Sequence, residues 1–211
     1  MILGLTSSTA AVGVAIADDG KLLAHHHGVT DRRHAEELTP MLTAALSEAG
    51  IGIADIDRFA ADIGPGRFTG LRVGLATARA LALAVGRPVV GISSLELLAA
   101  GQEHRPVTAV IDARRNEVFQ QSFLADGSST DALVGPPAEL VEAVVDDAVV
   151  VGDGADRYVE LYGSAVEPGC QPSAKELVLL AADRPALPGR DVEPLYLRHP
   201  DVQVNIRTRH T

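Results

Sequence analysis

Small apolar and polar residues alternate from the first residue onward. Ile2 to Leu5, Val12 to Ala17 and Lys21 to His27 are separated by Thr6-Ser7-Ser8-Thr9 and by Asp18-Asp19-Gly20. The second separator is a strong hairpin signal, so three antiparallel strands are predicted. From His34 to Ala49 the period lengthens. Leu38, Met41, Leu42, Ala45, Leu46 and Ala49 fall on one helical stripe, and Gly50 supplies a stop. A strand over Arg58 to Ile63, a helix over Gly70 to Val85 and a strand over Val89 to Ile92 follow. Ser93 then caps a short helix, Ser94 to Ala100.

The remainder repeats this order more faintly. Val107 to Asp112, Glu117 to Leu124 and Ala132 to Val134 read as strands, and Pro137 to Val145 as a helix. Ala148 to Val151 is a strand that runs into Gly152-Asp153-Gly154, the counterpart of Gly64-Pro65-Gly66. Helices over Ala155 to Tyr162 and Ser173 to Ala182 complete the repeat, with a weaker strand at Ala165 to Glu167 between them. A β-β-β-α-β-α-β-α unit occurring twice predicts an α/β fold on the duplicated, ribonuclease H-like plan of the actin-like ATPase superfamily. Two similar lobes would then face each other across a cleft. Their boundary is placed near Gly101 to Arg105, giving lobes 1–102 and 103–211, the second smaller.

The predicted helix over Gly70 to Val85 is apolar or small nearly all round, with Arg72, Thr77 and Arg79 as its polar positions. Such a helix is covered on more than one side. Its own sheet covers one; the helix His34 to Ala49 or a partner protein must cover the other. Gly70, Gly74 and Ala78 lie four residues apart and would admit another helix closely. The glycine turn ahead of it, with Gly64, Gly66 and Thr69, reads either as an anion cradle at a helix N-terminus or as a tight connection. It lacks the Lys-Ser/Thr of a Walker loop and the spacing of a dinucleotide fingerprint. Ser7 and Ser8 in the first hairpin turn could likewise hold an anion. So could Asp112 and Arg114 at the head of the second lobe, which otherwise form a solvated turn or bridge the lobes.

Composition narrows the classes. The 211 residues are 46% hydrophobic and 22% charged, with no tryptophan, which is ordinary for a globular core of aliphatic side chains. The formal net charge of −10 repels nucleic acids unless a local patch overrides it, and the basic clusters at Arg32-Arg33, Arg114-Arg115 and Arg207 to Arg209 are small. Cys170 is the only cysteine, which suits a reducing cytoplasm. No apolar run of bilayer length and no signal peptide are recognised. His25-His26-His27 in a strand converges two ligands at most, so an exposed strand is expected there. No metalloprotease, zinc-finger or hydrolase motif occurs.

Gly64-Pro65-Gly66-Arg67-Phe68-Thr69-Gly70-Leu71-Arg72-Val73-Gly74 resembles the signature of the bacterial TsaB (YeaZ) family. Ser93-Ser94-Leu95-Glu96, Asp112 to Phe119 and Pro194-Leu195-Tyr196-Leu197-Arg198 resemble further family motifs, in the family's order. The resemblance implies an actin-like two-lobed fold and a role in making threonylcarbamoyladenosine beside the tRNA anticodon. It implies a non-catalytic partner of the transferase TsaD, joined by the ATPase TsaE, with self-association as a homodimer in isolation. ATP and metal are then expected on the partner subunits, none is required by this chain, and tRNA is met only through the complex. The implied pairing residues are His34, Glu37, Leu38, Met41, Leu42 and Ala45 on one helix, and Gly70, Leu71, Gly74, Thr77, Ala78 and Leu81 on the other. Gly74→Leu or Ala78→Arg is then expected to break pairing while the isolated chain stays folded.

Two positions depart from the family pattern. Thr6 stands where the family has Asp, and Arg67 where it has Ser. Ser94 and Leu98 stand where TsaD-type proteins carry a metal-binding His pair. A small-molecule kinase or ATPase using the same cleft is the alternative from the enzyme class. A peptidase lacks any supporting nucleophile or metal pair, and a homodimer with an unrelated structural role is a further reading.

Overall fold

The computed structural model describes residues 1–30, 33–103 and 106–198. The basic stretch at Arg207 to Arg209, with Arg32 of the earlier cluster, lies outside them. Among the described residues ten strands form two five-stranded mixed sheets. The first contains β1 (Ile2–Thr6), β2 (Ala11–Asp18), β3 (Lys21–Val29), β4 (Arg58–Asp62) and β5 (Val89–Ile92), in the order β3-β2-β1-β4-β5. The second contains β6 (Val107–Arg114), β7 (Glu117–Phe123), β8 (Leu133–Gly135), β9 (Val149–Val151) and β10 (Val166–Glu167), in the order β10-β9-β6-β7-β8. Read from the meander outward the two orders are identical, and the pairing directions agree. β1 runs antiparallel to β2 and parallel to β4, as β6 does to β7 and β9.

The helices are α1 (His34–Ala49), α2 (Phe68–Val85), α3 (Ser94–Ala100), α4 (Pro137–Leu140), α5 (Asp153–Arg157), α6 (Val159–Tyr162) and α7 (Ala174–Ala181). α1 ends as predicted, Gly50 taking the left-handed C-cap, and the Ser93 hydroxyl accepts the Glu96 amide at the start of α3. α2 begins two residues before the predicted Gly70. The predicted helix over Pro137 to Val145 is one α-turn followed by a 3-10 turn at Val141–Ala143. The predicted helix over Ala155 to Tyr162 breaks at Tyr158, whose φ is −115°. The first stretch carries three β-branched valines, Val141, Val144 and Val145, which favour helix less than their neighbours.

Alternating residues of each strand serve opposite faces. Leu3, Leu5, Phe59 and Ala61 join Leu38, Ala45, Leu75, Ala78 and Ala82 in a core beneath α1 and α2. On the other face Ala60, Val90 and Ile92 meet Leu177 and Ala181 of α7 and Leu97 of α3. The opposite side of α3, through Leu95, Leu98 and Ala99, packs on Ala109, Ile111 and Phe119 of the second sheet. Thus α7, built from the second half of the chain, covers the first sheet, and α3, built from the first half, covers the second.

Among the described residues α2 is the one helix long and apolar enough by composition to cross a bilayer, so the sequence reading that no stretch is long enough is corrected. Its buried residues, Gly70, Leu71, Gly74, Leu75, Ala78 and Ala82, form an arc against β4 and α1, which accounts for the composition as that of a packed core helix.

Candidate functional site

The turn after β1 lies wholly inside. Thr6, Ser7, Ser8 and Thr9 are at most 1% exposed, so their hydroxyls must find partners in the chain. Two of them, Thr6 and Ser8, converge on one carboxylate that sequence reading overlooked, Asp62 at the end of β4, itself buried. Thr6 Oγ1 donates to Asp62 Oδ2 at 2.7 Å, and the Ser8 hydroxyl donates to the same oxygen. Ser94 Oγ donates to Oδ1 at 2.5 Å, and the Gly64 amide donates to Oδ1 at 2.9 Å. Parallel pairing of β1 with β4 places Thr6 beside Asp62, because Leu5 faces Ala61 one step earlier. The carboxylate missing from strand one is therefore supplied across the sheet. Ser94, standing where the family resemblance puts a metal ligand in the transferase, is a donor to it.

The glycine turn closes down on this cluster. The Arg67 amide donates to the Ser8 carbonyl at 2.5 Å. A Cβ on Gly66 would collide with that same carbonyl, and one on Gly74 with the Ser7 hydroxyl, so both positions need glycine for lack of room. Ser7 Oγ donates to the Gly70 carbonyl at 2.7 Å and accepts from the Gly74 amide at 3.0 Å. Ser7, Ser8 and Gly64 thus spend their polar groups on one another's neighbourhood. Of the two readings of the turn, the close strand-to-helix connection is what the contacts describe. Thr69 is exposed at the start of α2.

The predicted pairing residues divide. Leu38, Ala45, Gly70, Leu71, Gly74 and Ala78 are buried in this chain, and His34 is 6% exposed with its ring nitrogen 2.8 Å from the Thr9 carbonyl. Glu37, Met41, Leu42, Thr77 and Leu81 are half-buried. The expectation that Gly74→Leu leaves the isolated chain folded is therefore corrected: the leucine would be driven into the β1–β2 turn. What α2 turns outward is Arg72, Ala76, Ala80 and Leu83, with Val73 and Thr77 beside them. Leu83 is 84% exposed.

A cleft of about 860 Å³ opens between the start of α2 and the β6–β7 turn. Arg67, Arg72, Arg114, Arg115 and Arg198 line it, with Asp112 the single carboxylate among the described lining residues. The chain after α7 crosses its mouth. The Leu195 amide donates to the Ile63 carbonyl at 2.7 Å, and Leu197 packs on the second core. Of the predicted anion contacts, Asp112 and Arg114 line this cleft, with Gly66 and Thr69 opposite, whereas Ser7, Ser8 and Gly64 do not.

Asp112 accepts from Arg157 Nη1 at 2.9 Å and from the Arg114 amide at 2.9 Å, and its own amide donates to Asp153 Oδ1 at 2.9 Å. Asp153 is the first residue of α5, in the turn after β9 that answers the glycine turn after β4. Burial, with the Asp112 charge adding to it, pushes the Asp153 carboxyl above the ordinary carboxylate range. Burial likewise pushes Tyr162 up to about 12, its hydroxyl donating to Gln120 Oε1 at 2.9 Å. On β3, His26 reaches Glu48 of α1 at 2.8 Å, while His25 and His27 share the other face. Among the described residues no three His, Cys, Asp or Glu side chains gather as a metal ion would require.

Comparison with known proteins adds four findings. A family model described as TsaD, tRNA N6-adenosine threonylcarbamoyltransferase, matches residues 21–168. The chain is 31% identical to the tRNA threonylcarbamoyladenosine biosynthesis protein TsaB of Escherichia coli, over 94% of each chain. Its fold matches the YeaZ structure from Pseudomonas aeruginosa with a TM-score of 0.83 and 33% identity, over 93% of this chain and 99% of that one. A Clostridium difficile activator of 2-hydroxyisocaproyl-CoA dehydratase, solved with bound ADPNP, shares the fold alone, at TM-score 0.51 and 12% identity over 86% of this chain and 93% of that one.

Proposed function

The chain belongs to the TsaB (YeaZ) family of tRNA threonylcarbamoyladenosine biosynthesis, and from that premise we propose that it acts as a non-catalytic subunit, docking on the TsaD transferase through the outward face of α2 and activating it. The observation that carries the reading is the composition of that face. Val73, Ala76, Thr77, Ala80 and Leu83 run along one side of a helix whose other side is already packed. A small and apolar stripe about three turns long lets a second helix approach closely and gains by leaving water. The transferase's own family model matches the stretch containing α1 and α2, which favours a pseudo-symmetric pairing of like helices.

The absence of independent chemistry is supported by how the ancestral phosphate turn is occupied. The Thr6, Ser8 and Ser94 hydroxyls are committed to Asp62, and Ser7 to α2. The acidic oxygens that would hold a metal-bound phosphate are thereby already saturated with donors. TsaE, ATP and the transferase's metal enter on the partner side, and a homodimer would use the same stripe.

The test is co-purification with the organism's TsaD, followed by tRNA modification with and without this chain. Modification is expected to require both proteins. Clear micromolar binding of Mg-ATP with turnover by this chain alone would instead favour the small-molecule kinase or ATPase reading, which the shared fold with an ADPNP-bound protein keeps in play.

A further inference from the structure

We propose that the arginine-lined cleft between α2 and the β6–β7 turn is a binding site for single-stranded RNA, so that this chain touches the tRNA directly. The inference rests on the family reading above and adds a contact that an overall charge of −10 argues against. The sequence shows no basic run of any length, because the five arginines come from three separate stretches: 67–72, 114–115 and 198. Folding brings them around one opening. Adding Arg157, Glu117 and Asp153, which touch or neighbour these groups, leaves the cleft positive. Screening confines such a field to about 8–10 Å, so a phosphate in the cleft meets these arginines and little of the acidic surface beyond.

Two further features match a nucleic-acid strand better than a free nucleotide. Phe68 and Tyr196 are 56% and 48% exposed at the lip, with ring centroids 5.9 Å apart. The Arg72 guanidinium lies 3.7 Å over the Phe68 ring, and its Nε donates to the Tyr196 hydroxyl at 3.2 Å. Exposed aromatic faces backed by arginine are platforms on which unpaired bases stack. The one lining carboxylate, Asp112, already accepts from Arg114 and Arg157, so the cleft lacks the open acidic ligands that a magnesium–triphosphate needs.

The loop that presents Arg114 and Arg115 is also held at a cost. Arg114, Arg115 and Asn116 have φ of 63°, 54° and 60°, three consecutive non-glycine residues in the left-handed region. Each costs of order 1 kcal/mol or more relative to ordinary backbone. Glycines would make the same turn without that cost, but without the two guanidinium groups.

The experiment titrates a fluorescein-labelled anticodon stem-loop RNA against the complex of this chain with TsaD, as wild type, as Arg114→Gln/Arg115→Gln and as Tyr196→Ala. All three residues are exposed, so co-elution and the thermal midpoint should match wild type. The double variant is expected to raise the RNA Kd about tenfold and to flatten the slope of log Kd against log salt by about 1.4, near 0.7 per lost charge. Tyr196→Ala is expected to raise it about fivefold with the slope unchanged. Complexes that form normally yet bind the RNA with wild-type affinity and slope overturn the proposal and leave the docking reading standing. If wild-type chain and TsaD do not co-elute, the docking reading falls. The same titration on the chain alone then decides the cleft, with loss of RNA affinity in the variants upholding it and wild-type affinity overturning it.

Discussion

At the scale of single residues the molecule turns on Asp62. A buried carboxylate is tolerated when several donors surround it, and here three hydroxyls and one amide do so. Those donors come from the turns after β1 and β4 and from the start of α3. Asp62→Ala is expected to cost about 3–5 kcal/mol by chemical denaturation, because it strands several buried donors together. Asp153, at the start of α5 in the second half, behaves oppositely. Its folded-state pKa is raised, so its charge opposes folding above that pKa, and the penalty fades as pH falls toward the unfolded value near 4. Asp153→Asn should therefore raise the melting midpoint at neutral pH, with the gain shrinking toward pH 4. A gain that grows on acidification would refute the assignment. Asp62 does not stand out in the sequence, because the hydroxyls that surround it come from two distant stretches, 6–8 and 94.

At the scale of elements α2 decides most. That it is apolar nearly all round was legible, but which side faces inward depends on where β1 and α1 lie. Gly70, Gly74 and Ala78, read as admitting another helix closely, are where the β1–β2 turn and α1 press against the helix. Two substitutions separate the faces. Gly74→Leu should destabilise the isolated chain by about 3 kcal/mol, as overpacking against the buried Ser7 side chain does, measurable in urea. Ala76→Arg should leave the melting curve unchanged and weaken co-purification with TsaD by about 3 kcal/mol or more, as burying an unpaired charge does. Equal effects of both on folding would mean that the outward face has been misassigned. The element boundaries in the first half were readable because strong stops, Gly50, Gly86 and Ser93, mark them. Those of α4 to α6 were not, because short turns rich in valine are held by packing rather than by propensity.

At the scale of the whole molecule the two halves complete each other. α7 places Leu177, Val178 and Ala181 on the face of the first sheet opposite α1 and α2, and α3 fills the second core. A fragment of residues 1–102 lacks α7 and would expose Ile2, Ala60, Val90 and Ile92. It is expected to remain largely unfolded by circular dichroism and to gain structure when residues 103–211 are supplied. An independently folded fragment with a sharp melting transition would show that the exchange of helices is dispensable. The strap at 192–198 ties the halves once more, joining the first core through Val192 and the second through Leu197.

The sequence by itself determined the duplicated plan, the order of strands and helices, the glycine turn and the family. These follow from local periodicity, from turn residues and from motifs whose members lie close in the chain. It carried no sign of the Asp62 cluster, it offered Asp112 and Arg114 without the other arginines that share their cleft, and it left open which face of α2 stays free. Each of those joins residues 30 to 130 positions apart, and only the packing of the two sheets sets which of them meet.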